Sequence, residues 1–219
     1  MFSHVANSCS VKGWIIMRIA ILGASGRTGG TLVGQALERG HDVVALVRTP
    51  AAFAVPAPRQ VEVRKADVTD PRSFPDLADV DVTISAIGIA KGDGPGALVA
   101  GARVLAAAGV RTVWLGALGS GVSSRSGGLI YAGVMRMFVG SELAEKAEAD
   151  QIALAAGATV FHAPDVTDGP LSSAGRIVPL AELRRPLLPP RISRATLASL
   201  LLDEAETDKH GSGIVVPLG

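Results

Sequence analysis

Three glycines, Gly23, Gly26 and Gly29, stand three residues apart in Arg18-Ile-Ala-Ile-Leu-Gly-Ala-Ser-Gly-Arg-Thr-Gly-Gly30, between an apolar run and a stretch of helical pattern. A glycine at the end of a buried strand permits a tight turn, a second lets the backbone approach a bound anion, and a third lets the next helix pack against the sheet. That helix opens on unpaired N–H groups and the positive end of its dipole, which suits a pyrophosphate. The spacing is G-x-x-G-x-x-G, a variant of the commoner G-x-G-x-x-G dinucleotide fingerprint, so its weight rests on its flanks. Residues 15–22 form the nearly continuous apolar run that a buried parallel strand needs. Leu32, Val33, Ala36 and Leu37 then recur at helical spacing before Gly40, and residues 43–47 supply a second apolar run. A glycine-rich turn that merely joins a strand to a helix is the alternative.

The same alternation continues. Short apolar runs at 61–65, 82–87, 112–115, 159–161 and 214–217 read as strands. Between them, Asp70-Pro71 reads as a helix cap with proline at the first helical position, opening a short helix that carries Phe74 and Leu77. Residues 96–108 read as a longer helix closed by Gly109, residues 141–157 as another capped by Ser141, and residues 196–205 as a last one behind Ser193. Strands alternating with helices predict an α/β fold: a doubly wound parallel sheet of Rossmann type in a single domain. Residues 116–140, rich in glycine and serine, and residues 165–191, with five prolines at 170, 179, 186, 189 and 190, break the rhythm. Both leave strand carboxyl ends, where ligands bind in such sheets, so they are expected to form the substrate side of a cleft; long connections with no role are the other reading.

Composition narrows the function. The chain has 219 residues, 48% hydrophobic and 19% charged, enough for one sizeable core. A formal net charge of +1 without a basic cluster gives no footprint for nucleic acid or an anionic membrane, which leaves small-molecule chemistry. Cys9 is the single cysteine, which excludes an internal disulfide and a cysteine metal site and fits a reducing compartment. Residues 1–16 read as an extension, disordered or outside the true start, because Met17 directly precedes the core strand. They carry neither a secretory pattern nor an apolar span of membrane length, and the expected location is the cytoplasm. The domain proper is expected over residues 17–219.

The cofactor loop reads as Gly23, Ala24, Ser25, Gly26, Arg27, Thr28 and Gly29. Where an NAD-specific protein carries an acid for the ribose hydroxyl, at the end of the second strand, this chain has Arg48. A guanidinium cannot accept from that hydroxyl but can hold a 2′-phosphate and stack beside the adenine, so NADP, with NADPH preferred over NADH, is the expected cofactor. A solvated surface role for Arg48 is the alternative. Arg27 offers a second positive charge. Asp67 after the third strand can receive the adenine amino group with Val68 flanking the ring, or it can simply cap its turn. Ala86, Ile87 and Gly88, at the end of the fourth strand, are expected under the ribose and pyrophosphate.

With these residues in place, the chain resembles the atypical short-chain dehydrogenase/reductases with an NAD(P)H-binding domain, a family that includes flavin reductases of the biliverdin reductase B type and NmrA-like regulators. The resemblance runs from Met17 onward and rests on Gly-Ala-Ser-Gly-Arg-Thr-Gly-Gly at 23–30, Leu-Val-Arg at 46–48, Ala-Asp-Val-Thr-Asp at 66–70 and Gly-Ala-Leu-Gly-Ser at 116–120. Residues 145–150 and 166–170 are similar to later family motifs. The departures bear on mechanism. Carbonyl-reducing members use Tyr-x-x-x-Lys on one helical face, whereas the only tyrosine here, Tyr131, is followed four residues later by Met135. Lys146 reads as a helix-surface lysine. Gly116-Ala117 replace a serine pair, His162 stands where many relatives have arginine, and Asp165 where the flavin-reducing relative has histidine.

The resemblance implies an NAD(P)H-dependent oxidoreductase. Hydride transfer to a flavin- or quinone-like acceptor needs a stacked, dry cleft more than a positioned acid, whereas a simple ketone needs a donor not evident here. No catalytic residue is assigned from sequence. Ser120, Tyr131, His162 and Asp165 are the candidates for the acceptor pocket, with a core or turn role the other reading of His162, and no metal is expected. The expected partner is a small-molecule acceptor. A redox sensor that binds NADP without turnover and signals to a protein partner is the alternative, and a sugar-nucleotide epimerase or dehydratase a third.

Overall fold

The computed structural model describes residues 16–56, 60–89, 95–124, 126, 142–184 and 190–219. The first strand, β1 (Arg18–Leu22), runs into α1 (Arg27–Glu38), β2 (Asp42–Val47) and β3 (Val61–Lys65). The chain then returns past β1 to β4 (Val82–Ser85), followed by α2 (Ala97–Ala108), β5 (Thr112–Ala117), α3 (Leu143–Ala155) and β6 (Thr159–Ala163). Sheet order is β3-β2-β1-β4-β5-β6, parallel throughout. β10 (Gly213–Leu218) adds parallel to β6, and β8 (Arg176–Pro179) closes that edge antiparallel to β10. β7 (Asp165–Thr167) and β9 (Arg191–Ser193) pair as a separate small sheet, and β9 leads into α4 (Arg194–Thr207).

Both faces of the sheet are covered, which is why its strands read as apolar runs rather than alternating ones. Ile19 and Ile21 face a core with Leu32 and Val33 of α1 and Leu197 and Leu201 of α4. Their neighbours Ala20 and Leu22 point the other way, to Leu98 and Leu105 of α2 and Ala149 and Ala153 of α3. This is the two-residue alternation of a strand applied to two cores. Arg39, behind α1, fastens the first layer: its Nη1 donates to Asp203 at 2.8 Å and Glu206 at 2.7 Å on α4. The buried His41 accepts from the Met17 N–H at Nδ1, so its Nε2–H donates to Glu206 at 3.1 Å. No helix among the described residues is long and apolar enough to cross a membrane.

Two expectations need correction. Residues 70–77 form turns and no helix, because Pro75 lacks an N–H and disfavours helical geometry at Phe74. Leu77 still reaches the core, 1% exposed, with Phe74 packed against the same cluster. The stretch 165–191 is not an irregular loop: it contains β7 and β8 and ends on β9. Of the expected substrate-side loop at 116–140, Gly116 and Ala117 still belong to β5 and Gly121–Ser123 form a short 3-10 turn; residues 125 and 127–140 lie outside the described residues, as do Ser141, Pro186 and Pro189.

Candidate active site

The chain reverses its direction of travel across the sheet between β1 and β4, and in open α/β sheets such a switch point leaves a crevice beyond the strand ends. A cavity of about 850 Å³ opens there. Gly23 turns the chain out of β1 at φ +82°, with its N–H donating to the Leu46 carbonyl at 3.2 Å. The Gly26 N–H donates back to the Gly23 carbonyl at 2.9 Å, and α1 starts at the next residue. Gly23, Ser25, Gly26, Arg27 and Thr28 therefore line the cavity with backbone and the amino end of α1. Ala24 and Gly29 do not line it. Ala24 is 1% exposed, and a Cβ on Gly29 would lie 2.0 Å from the Gly23 carbonyl oxygen. Both serve underneath, where they let helix and loop touch.

Arg48, Asp67, Val68, Ala86, Ile87 and Gly88 complete the wall, joined by Thr69, Ile89, Pro95 and Ala97, which sequence reasoning did not single out. Asp67 caps its turn: Oδ1 accepts from the Thr69 hydroxyl at 2.7 Å and the Thr69 N–H at 3.0 Å. Those bonds hold its carboxyl below the usual range, with the charges of Arg48 and Lys65 adding to the effect. Arg27 is ion-paired with Asp168, which also binds Arg194 at the start of α4. One carboxylate thus ties the glycine loop to the segment on the other side of the cleft.

Ile87 and Gly88 also line a second, smaller cavity of about 140 Å³, whose other walls are Leu98, Trp114 to Ala117 of β5, and Lys146, Ala149 and Asp150 of α3. Lys146 is therefore not a plain surface lysine: it reaches this cavity and pairs with Glu142 at 2.7 Å, its side chain 19% exposed. Asp150 is buried, with Oδ1 accepting from Trp114 Nε1–H at 2.9 Å and Oδ2 lying 2.9 Å from the Ser120 hydroxyl, whose one hydrogen is shared with the Ala117 carbonyl at 2.8 Å. A Cβ at residue 116 would meet Asp150 Oδ1 at 2.5 Å. The carboxylate occupies the space that a side chain at Gly116 would need.

The acceptor-pocket candidates sit elsewhere. Ser120 and His162 are 0% and 1% exposed and lie behind Asp150 rather than on the cavity wall. His162 Nε2 is 3.1 Å from Asp150 Oδ2, and its Nδ1 is 2.7 Å from Ser123 Oγ. Asp165 belongs to neither cavity: its carboxylate is 54% exposed and faces Arg191 at 3.4 Å. Tyr131 lies outside the described residues. Asp150, Trp114 and Ser123 escaped sequence reasoning. The available signal was an acid on the buried stripe of α3 with Ala149 and Ala153.

A cleft at the switch point, backed by a glycine turn and a helix terminus, defines a dinucleotide-binding Rossmann domain. The chain belongs to the NAD(P)H-binding family, which it matches over residues 23–208. Among solved structures it is similar to a short-chain dehydrogenase/reductase of Veillonella parvula in complex with NADP, at 12% identity and TM-score 0.75, over 94% of this chain and 95% of that one. It is also similar to the anaerobillin reductase ChuY of Escherichia coli O157:H7, at 18% identity and TM-score 0.71, over 92% and 96%. A candidate NADH-flavin reductase of Streptococcus pneumoniae aligns at 22% identity and TM-score 0.68, over 92% and 99%. These likenesses establish the shared fold.

Proposed function

We propose that the protein is an NADPH-preferring oxidoreductase that reduces a flat, flavin- or quinone-like acceptor. The observation that carries this reading is the adjacency of the two cavities, which share Ile87 and Gly88 as walls and set the dinucleotide cleft beside a small, largely apolar chamber under β5. The cradle around Gly23 and Gly26 fits a pyrophosphate, because backbone and the end of α1 stand where side chains would block it. Arg48 suits a 2′-phosphate through charge-assisted hydrogen bonds. When bound, the reduced nicotinamide supplies a hydride. The chain's own contribution is to hold acceptor and cofactor face to face and keep water out. The similar structures of a candidate NADH-flavin reductase and an anaerobillin reductase support the same class of substrate. Small-molecule partners in the cytoplasm complete the proposal.

Anaerobic NADPH consumption by purified protein with FMN, against a control without protein, tests it. Saturable consumption that falls in Arg48→Ala is expected. Tight NADPH binding without consumption would overturn the enzyme reading in favour of a redox sensor that acts through a protein partner.

A further inference from the structure

We propose that the buried Asp150–His162 pair stores and delivers the proton that completes reduction of the acceptor. This deepens the oxidoreductase reading and rests on it. The argument begins with the hydroxyl of Ser123. It accepts from the Gly119 N–H at 2.9 Å and has one hydrogen of its own to give, either to the Ser120 carbonyl at 3.0 Å or to His162 Nδ1 at 2.7 Å. If it gives to the carbonyl, Nδ1 must carry hydrogen and donate to Oγ. If it gives to Nδ1, the imidazole hydrogen sits on Nε2.

In both settings the 3.1 Å contact between Nε2 and Asp150 Oδ2 holds one proton, on one atom or the other. Without it, two lone pairs would face each other away from water, since His162 is 1% and Asp150 4% exposed. Among the described residues Nε2 makes no aligned hydrogen bond, so the shared proton is held by the proximity of the two groups rather than by a well-made bond. Such a proton can be given up. The carboxylate left behind keeps the Trp114 Nε1–H donor, and the Ser120 hydroxyl gives its one hydrogen either to Oδ2 at 2.9 Å or to the Ala117 carbonyl at 2.8 Å.

Asp150 is the member of the pair that reaches the smaller cavity, and it does so because residue 116 has no side chain. The balance is simple. The acceptor gains a hydride, two electrons with one proton, from the reduced nicotinamide and becomes an anion. It then takes the one shared proton from Asp150 Oδ2, in the setting where the Ser123 hydroxyl gives to the Ser120 carbonyl; a carboxylate is left beside a neutral imidazole with its hydrogen on Nδ1, and solvent returns a proton to the pair. The charged groups around Asp150 are His162 on β6 and the Lys146–Glu142 pair on α3. From α2 comes Leu98, whose N–H is held by Glu145, while the Arg103–Glu148 pair spans the outer side of α2 and α3.

The test compares wild type, Asp150→Asn and His162→Gln by NADPH oxidation with FMN and with a soluble benzoquinone across pH, beside imidazole ¹⁵N NMR without added acceptor. Asn keeps the shape and the Trp114 contact, so folding is retained. The expected result is a wild-type kcat that falls as pH rises and an Asp150→Asn kcat lower by about 100-fold with a flattened profile, the size typical of a lost general acid. NADPH affinity is expected to stay unchanged, and the His162 resonances, identified by their loss in His162→Gln, are expected to shift their titration in Asp150→Asn. Wild-type turnover with an unchanged kcat and pH profile in Asp150→Asn, or a His162 titration that ignores the substitution, overturns the inference alone. A wild type that consumes no NADPH with either acceptor overturns the oxidoreductase reading and the inference together.

Discussion

A methyl group on Gly29 would lie 2.0 Å from the Gly23 carbonyl oxygen, with backbone atoms and no flexible side chain to give way. Gly29→Ala is therefore expected to cost about 1 to 3 kcal/mol, the usual range for overpacking. It should also weaken NADPH binding by displacing the loop; urea unfolding and a fluorescence titration check the two effects. Arg48 belongs to a different kind of argument, because it lines the cavity at the end of β2. Arg48→Ala should weaken NADPH binding about tenfold or more, the loss of a charge-assisted hydrogen bond, and leave NADH binding nearly unchanged. The glycine spacing and Arg48 were legible because each is a local pattern. Asp150 was not, because its importance comes from Gly116 and His162, 34 and 12 residues away in sequence and brought beside it only by the sheet.

Helix α4 begins on a cap that the sequence announced, Ser193, whose Oγ accepts from the Thr196 N–H at 3.1 Å and donates to the Pro170 carbonyl at 2.7 Å. Ser193→Ala should lower stability by about 1 kcal/mol and Tm by a few degrees, measurable by thermal unfolding followed by circular dichroism. The carbonyl it holds lies on the segment after β7, so the loss would also loosen that side of the cleft. The turns at 70–77 show where the same reasoning fails: Asp70-Pro71 offers a helix start, and Pro75 forbids the continuation. β7 and β9 were hidden for another reason. Each is three residues long, and their pairing joins residues 26 positions apart, so neither has a periodicity to read.

The parallel order and the two helical layers followed from the alternation of apolar runs, and they set how the molecule answers acid. Around the β1 and β3 end of the sheet, Arg64 binds Glu62 at 2.7 Å and Asp79 at 2.5 Å, and Arg18 binds both acids. The guanidinium of Arg64 holds both carboxyls below their ordinary values of 4.5 and 3.8. A lowered folded pKa contributes stability above the unfolded value, and that contribution is lost as pH falls through the folded one. Tm is expected to drop as pH falls below the ordinary carboxylate range, and Asp79→Asn to blunt the drop, in calorimetric scans over that window. The pairs are exposed, so salt should screen them and flatten the same curve. Their position has a further meaning. β3 is the terminal strand on its side of the sheet, with a row of backbone donors and acceptors facing outward. An unguarded margin of that kind recruits strands from other molecules. The mixed charges of Glu62, Arg64 and Lys65 make this one inhospitable, so apolar replacements at those positions would remove the ion pairs and give the protein an adhesive border along which filaments could grow.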